Sequence, residues 1–463
     1  MTARANPAIF KAYDIRGIHG DELDPEIAGL IGRAFARVIA AIEGKDTSAL
    51  RLGLGRDMRL TAPEMAAAYR DGMVAEGATV IDAGQIGTEM LYFLVGSRDL
   101  DGGLMCTASH NPKRYTGAKL VGRGALALSG DAGIAEVRDR IDAGLGDPPT
   151  GAAGSVTEVD IYAEFQESAL SFIDADAIKP LKVVVDGGNG MAGPMVGPLL
   201  ERLGLDLSEA YFTPDGNFPD HEPNPLLAEN REFITAEVVK RGADLGIAWD
   251  GDADRCFFID EHGRFVDGDF LTALMAESMI AKNAGPPTPI VLYDVRASRA
   301  VADTAARVGG KALMNRVGHA FFKQRMREVP DAVFGGEVSG HYYFRDFYSA
   351  DSGTLPALLI LELLSARAVS MSQLLEPFRS EYFISGEINS EVSDQAGKLA
   401  EIAERYADGR RTDLDGISID YDDWHFNVRS SNTEPLLRLC LESMRSPEHM
   451  AVKRDELLEL IRS

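Results

Sequence analysis

Cysteine is scarce in this chain: Cys106, Cys256 and Cys440 are the only three among 463 residues. Three scattered thiols cannot build a disulfide framework or a paired-cysteine metal knuckle. They point to a reducing compartment, and each reads as a small buried hydrophobe. Basic residues are also short, with 47 Lys+Arg against 72 Asp+Glu and a formal charge of −25. A polyanion does not attract nucleic acid or an acidic lipid surface, so neither is an expected partner. An anionic small molecule would need basic groups gathered in one place against that field. Long hydrophobic runs are missing too. The longest, LPALLILELLSA (355–366), carries Glu362 and is too short to span a bilayer. The first residues, MTARANPAIFKAYDIRG, hold no apolar signal segment. The expectation is a soluble, cytoplasmic protein.

What is present is ordinary globular composition, 45% hydrophobic and 26% charged. One unit recurs: a short apolar run, a Gly/Asp-rich loop, an Ala- or Leu-rich helix and a second strand. It occurs as RLGLGRD (51–57) onward, LKVVVDGGNG (181–190) onward and PIVLYDVRASRA (289–300) onward. Strand, helix and strand within about 35 residues make a βαβ unit. The last ninety or so residues differ. GKLAEIAERYADG (397–409) has helical periodicity, GISIDYDDWHFNVRSS and LLRLCLESM alternate like strands, and residues 446–463 form a closing amphipathic helix. The expected organisation is three similar α/β domains, 1–150, 151–260 and 261–370, and an α+β domain over 371–463. The Pro/Gly-rich GDPPTGAAGS (146–155) marks one joint; DEHGR (260–264) and VSMSQ (369–373) mark the others.

Five segments carry candidate chemistry. In LMCTASHNPKRYTGAKL (104–120), an apolar run ends at Cys106 and Ser109 follows with Thr107, His110 and Asn111 around it. An exposed reactive serine and a plain Ser/Asn-Pro turn both fit; the motif is not an acyl-hydrolase elbow. In LGIAWDGDADRCFFIDE (245–261), Asp250, Asp252 and Asp254 alternate between apolar strands. Alternation would aim all three one way, and a divalent cation would relieve their repulsion. Asp250, Asp252, Asp254 and Glu261 match EF-hand positions 1, 3, 5 and 12, but Arg255 stands where that loop needs glycine. An open oxygen site for Mg²⁺ and a phosphate oxygen is the better fit, with Arg255 beside it. In FGGEVSGHYYF (334–344), Glu337, Ser339 and His341 at i, i+2 and i+4 would share one side of an extended loop, suited to sugar hydroxyls; a Gly-rich hairpin is the alternative. In NVRSSNTEPLLRL (427–439), Arg429, Ser431, Asn432 and Thr433 make either a phosphate cradle or a capping turn. FKAYDIRGI (10–18) adds Tyr13 and Arg16.

TASHNP, DGDADR, GEVSGH and RSSNTEP in this order, from about residue 10 to the end of the chain, resemble the α-D-phosphohexomutase superfamily, most closely its bacterial phosphomannomutase/phosphoglucomutase type. The resemblance implies four domains around a central cleft, three of them α/β with mixed sheets and the last TATA-binding-protein-like. It implies that Ser109 is phosphorylated in the active enzyme. Asp250, Asp252 and Asp254 would hold Mg²⁺ with a phosphoserine oxygen. Glu337 and Ser339 would read sugar hydroxyls, and Arg429, Ser431, Asn432 and Thr433 would clamp the non-reacting phosphate. Tyr13, Arg16, His110, Lys119, Arg255, His319 and His341 would line the cleft. Arg296 stands where several relatives have Lys, which keeps the charge but not the compact ammonium. Val338 replaces the commoner Met and is not the Gln usual in the glucosamine type, so the loop resembles the mannose/glucose type.

The implied reaction moves a phosphoryl group reversibly between O1 and O6 of mannose or glucose phosphate, through phosphoserine and a hexose 1,6-bisphosphate that is also the activator. Lys119 is the first candidate for general base, on the expectation that nearby Arg16 lowers its pKa; His341 and His319 are the reserves. Closure of the last domain near 369–373 is expected to exclude water. The partners expected are small sugar phosphates, and the chain is expected to be a monomer or weak dimer. Rival readings are a Mg²⁺-dependent sugar-phosphate phosphatase, a phosphoglucosamine mutase, and a non-catalytic binder of Ca²⁺ or sugar phosphate.

Overall fold

Each repeated segment folds as strand, helix and parallel strand. The first is Arg51–Arg56, Ala62–Ala75 and Thr79–Gln85; the second is Lys182–Asp186, Ala192–Arg202 and Asp206–Ala210; the third is Ile290–Asp294, Ala300–Arg307 and Lys311–Asn315. A parallel return needs a crossover, and the helix between the strands supplies it. The computed structural model describes residues 5–130, 133–149, 151, 153–431 and 435–463.

The chain forms two compact units. Met1–Val266 and Ser339–Ser370 make the first; Asp267–Val338 and Met371–Ser463 make the second. The segment 261–370 of the sequence reading is therefore shared between them.

The first unit holds two mixed sheets. One orders its strands Ile15–Ile18, Tyr115–Gly122, Gly102–Cys106, Arg51–Arg56, Thr79–Gln85, Val156–Glu158; the first two pairings are antiparallel and the rest parallel. The other runs Cys256–Asp260, Leu245–Trp249, Lys182–Asp186, Asp206–Ala210, with one antiparallel pairing. The central runs Val183–Val185 and Leu245–Trp249 are buried throughout, as parallel strands covered on both faces must be. The apolar run 355–366 lies in helix Thr354–Arg367, and its leucines are core. Among the described residues no single helix is long and apolar enough to cross a membrane.

In the second unit, Lys311–Asn315, Ile290–Asp294 and Ala332–Gly336 lie parallel. The C-terminal sheet is antiparallel, in the order Phe383–Glu391, Leu436–Ser443, Trp424–Ser430, Ile417–Asp420, Arg410–Thr412. Leu437, Leu439 and Leu441 alternate onto one face, where they join Ile402, Leu457 and Ile461 of the two helices in one core. The closing helix Pro447–Arg462 starts where Ser446 accepts the His449 N–H and Pro447 fixes the first turn. The α/β class with a divergent α+β end is as the sequence implied. Strand Phe383–Glu391 was not foreseen. Cys106 and Cys256 are buried, but Cys440 is only half-buried, in the middle of strand Leu436–Ser443.

Candidate active site

The serine and the three aspartates leave the carboxyl ends of two strands of the first unit, Gly102–Cys106 and Leu245–Trp249. Strand ends of this kind are where open α/β sheets bind ligands. Ser109 is 3% exposed and sits at φ +49°; Ala253 in the aspartate loop sits at φ +59°. Non-glycine residues rarely hold this left-handed conformation, and they gather at functional turns. The two loops touch: a Cβ on Gly251 would lie 2.6 Å from the Ser109 carbonyl oxygen, so only glycine fits there. Ser109 Oγ donates to Asp250 Oδ2 at 2.9 Å, and its N–H donates to Thr107 Oγ1 at 2.8 Å.

Asp250, Asp252 and Asp254 are buried, and each offers an oxygen within 4.8 Å of the others. Their convergence was foreseen, but its cause is different. The segment is a tight turn, closed by the Ala253 N–H on the Asp250 carbonyl at 3.1 Å, not an alternating extended loop. Two cations face the carboxylates. Arg255 donates through Nε to Asp250 Oδ2 at 2.8 Å and lies 3.5 Å from Ser109 Oγ. Lys119 Nζ donates to Asp252 Oδ2 at 2.7 Å and to Asp254 Oδ2.

These contacts correct the expectation for Lys119. Burial works to lower its pKa, but Asp252, Asp254 and Asp250 outweigh burial, and Arg16 is the weakest influence named; the result is a raised pKa. The direction is opposite to the one expected from Arg16 alone. His110 behaves oppositely. Burial first, then the charges of Arg255 and Arg16, hold its pKa well down. Its neutral ring lies with Nδ1 3.2 Å from Ser109 Oγ. Among the aspartates, burial and then Asp252 push Asp254 up to about 8. Asp252 is held low because Lys119 and its hydrogen bonds outweigh burial.

The donor set fits a hard divalent cation. Asp252 Oδ1 and Asp254 Oδ1 are buried and have no hydrogen-bond partner among the described residues, a costly state for carboxylate oxygens. All the candidate ligand atoms are oxygens, as Mg²⁺ prefers.

The other candidates divide between the units. In the first, Arg16 donates through Nε to Asp14 at 2.7 Å and through Nη1 to Asn111 Oδ1 beside the serine, and Tyr13 is half-buried on the same segment. His341 Nε2 lies 3.9 Å from both Asp254 and Asp351, and Ser339 Oγ lies 3.2 Å from His341 Nδ1. In the second unit, Glu337 accepts the Gly318 N–H at 2.8 Å, one residue before His319, and lies 3.8 Å from Arg296. The loop that carries Glu337, Ser339 and His341 is therefore not extended. Residues 338–340 form a turn, with Gly340 at φ +87°, and it breaks the alternation. Arg296 forks onto Asp294 at 2.8 and 3.0 Å. Arg429 is buried and donates to Glu387 at 2.9 Å; Ser431, half-buried, follows it. Asn432 and Thr433 lie outside the described residues.

Four models of one family match this chain in order. They are phosphoglucomutase/phosphomannomutase α/β/α domain I over residues 7–145, domain II over 160–263, domain III over 267–382 and the C-terminal domain over 387–460. The chain belongs to the phosphoglucomutase/phosphomannomutase family. A phosphomannomutase of Salmonella montevideo is 40% identical over 466 residues, 99% of this chain and 100% of its own. A phosphohexose mutase of Xanthomonas campestris pv. campestris is 42% identical over 458 residues, 98% of this chain and 99% of its own. The solved structure of a family protein from Burkholderia thailandensis superposes with a TM-score of 0.88 at 34% identity, covering 98% of this chain and 97% of the other. Membership makes this chain an enzyme, a phosphohexose mutase.

Three residues beside these candidates, two in the first unit and one in the second, escaped sequence reasoning. Arg59, 2% exposed, donates through Nη2 to the carbonyls of Ser109 at 2.7 Å and Asn111 at 2.6 Å, and through Nη1 to those of Pro112 at 3.1 Å and Tyr115 at 3.2 Å. Asp57 faces it at 3.3 Å. One buried guanidinium thus straps the whole serine loop. A signal existed, since Asp57 and Arg59 sit in the loop after the first repeated strand. Glu387 is the second, bridging arginines of the second unit. Glu89 is the third. Fully buried, it accepts hydrogen bonds from Ser352 Oγ, from Thr354 Oγ1 at 2.5 Å and from the Thr354 N–H at 3.2 Å, next to Thr88, which donates to Asp252 at 2.5 Å.

Burial, opposed by its hydroxyl donors, pushes Glu89 from 4.5 up to about 8. A raised carboxyl pKa gives stability that is complete below the unfolded value and is lost as pH rises through the folded one. The protein is therefore expected to lose on the order of 5 kcal/mol through this group as pH climbs from about 4.5 to about 8, and no more beyond that. Denaturant titrations in acid and in alkali should show that loss in the parent and a flatter profile in Glu89→Gln. Equal profiles would refute the assignment.

Proposed function

We propose that this enzyme moves a phosphoryl group between O1 and O6 of glucose or mannose phosphate through a phosphoserine at Ser109, with a hexose 1,6-bisphosphate as intermediate and activator. The reading rests on one observation above all: Ser109 Oγ lies 2.9 Å from Asp250 and 3.5 Å from Arg255 in a buried cluster of three aspartates and Lys119. Its sugar and its mannose/glucose type are argued from Glu337, Ser339 and Val338.

In the forward half, the phosphorus–Oγ bond of phosphoserine breaks and a bond forms to the free sugar hydroxyl, whose proton passes to a base and leaves Ser109 Oγ protonated. In the return half, Ser109 Oγ gives up its proton through the base as it takes the other phosphate of the bisphosphate, and the departing sugar oxygen takes that proton. Atoms balance, and the net change is isomerisation. Charge spreads over the phosphoryl oxygens as they transfer, so fixed cations matter most. Lys119 and Arg255 serve there, with Arg16 supporting the serine loop through Asn111. Mg²⁺, when bound by Asp250, Asp252 and Asp254, would supply positive charge to the transferring group. His110 and His341 are the bases we favour over Lys119, and His319 stands in reserve in the second unit. Arg429 and Ser431, with Asn432 and Thr433, hold the passive phosphate, and Tyr13 and Arg296 contribute to substrate binding.

A coupled assay tests the reading. Glucose 1-phosphate or mannose 1-phosphate with catalytic hexose 1,6-bisphosphate and Mg²⁺ should yield the 6-phosphate, and a chelator should abolish it. Release of inorganic phosphate instead would support hydrolysis. The metal also has a pH signature. Burial and the neighbouring Asp252 hold the Asp254 carboxyl above its usual range, so an ion there competes with a proton. Mg²⁺ affinity should therefore rise with pH, with proton release on calorimetry. A flat affinity would contradict an ion at these three aspartates.

A further inference from the structure

The arginine proposed to hold the passive phosphate already holds an anion of this chain, together with two other arginines. Glu387, on strand Phe383–Glu391, accepts through Oε2 from Arg429 Nη2 at 2.9 Å and from Arg296 Nη1 at 3.4 Å, and through Oε1 from Arg438 Nη1 at 3.0 Å. Arg296 also carries Asp294 at 2.8 Å and Glu337 at 3.8 Å. Three guanidinium groups thus face three carboxylates, and a site expected to grip a dianion has no net charge. Arg429 Nε, by contrast, is buried with no hydrogen-bond partner among the described residues. The fork of Arg429 is half satisfied by Glu387 and half open.

We infer that Glu387 is a built-in counter-anion that limits how tightly the Arg429 clamp can hold a phosphate. It acts through Arg429 and is a positioning residue, not a catalytic one. An incoming phosphate can take the open Nε, but it must share or displace Glu387 at Nη2. The consequence follows from the reaction proposed above, on which this inference rests. The bisphosphate has to leave the clamp, turn end over end and return with its other phosphate. Gripping ground state and transition state alike would lower KM, slow that exchange and leave the chemical step no faster. A clamp tuned to near neutrality holds the phosphate in place and still lets it go.

The test is the sign of the affinity change. Inorganic phosphate is titrated calorimetrically into the full-length protein, so the result does not depend on which sugar is the substrate. Glu387→Gln removes one negative charge a few ångströms from the clamp and should bind phosphate about tenfold more tightly. With glucose 1-phosphate its KM and kcat should both fall. Arg438→Met removes a cation and leaves Glu387 more fully on Arg429, so phosphate binding should weaken several-fold. Unchanged or weaker binding in Glu387→Gln would overturn the inference and assign Glu387 to holding the arginines in place. Should Glu387→Gln not fold, unchanged or tighter binding in Arg438→Met overturns it equally. Failure of the mutase reading would appear separately, as absence of 6-phosphate product from the parent enzyme.

Discussion

Ser109→Ala is expected to cut turnover by on the order of 10⁴ or more while leaving the protein as stable as its parent. The fall should be this large because no neighbouring hydroxyl can substitute. Thr107 Oγ1 accepts the Ser109 N–H at 2.8 Å and lies 3.4 Å from Asp252, and Thr88 Oγ1 is committed to Asp252 at 2.5 Å. Stability should hold because the loop is fixed through its backbone. Arg59 grips the carbonyls of Ser109 and Asn111, which alanine leaves in place. The φ of +49° costs alanine about what it costs serine. Steady-state rates with saturating bisphosphate, beside thermal melting, separate the two effects. A residual rate within tenfold of the parent, or a melting point that collapses, would remove Ser109 from the chemistry.

Lys119→Met should affect both stability and catalysis, and the stability effect should depend on the metal. The ammonium is the shared partner of Asp252 and Asp254. Without it the buried carboxylates keep only hydroxyl donors, the Asp250–Arg255 pair and their mutual repulsion. Removing one partner of a buried ion pair costs about 3–5 kcal/mol, and we expect that loss in chelator. Saturating Mg²⁺ should recover most of it, since an ion that binds only the folded protein stabilises it. Turnover should fall about 10²–10³-fold even with the metal present, because a fixed cation is lost from the transferring group. Denaturant curves with and without Mg²⁺, paired with rates, check both halves. Equal destabilisation in the two conditions would mean that Lys119 does not balance the charge of the metal ligands.

Local patterns carried the sequence reading far. Val183–Val185 followed by a Gly/Asp loop and a helix is a βαβ unit on inspection, and so are its two companions. Asp250, Asp252 and Asp254 are close enough in sequence that any turn brings them together. What failed was the assumption that alternation means extension. The turn at 338–340, with Gly340 at φ +87°, sends Glu337 toward Gly318 and His341 toward Asp254 and Asp351. What could not be read was charge balance across distance. Arg59 lies 50 residues from the serine it straps, and Glu387 lies 42 residues from Arg429. The protonation of Lys119 depends on aspartates more than 130 residues away. Sequence placed Lys119 near Arg16 and inferred a lowered pKa; the folded chain gives it three carboxylates, and they decide the sign.

The central claim is that Ser109 carries the phosphoryl group between the two ends of the sugar. The most direct test is to incubate the enzyme with hexose 1,6-bisphosphate labelled at phosphorus, digest it, and map the label. The account predicts one labelled phosphate per chain, confined to the peptide that contains Ser109 and chased into sugar phosphate by unlabelled glucose 1-phosphate or mannose 1-phosphate. Full turnover with no label on the protein, or label on any other residue, would contradict it.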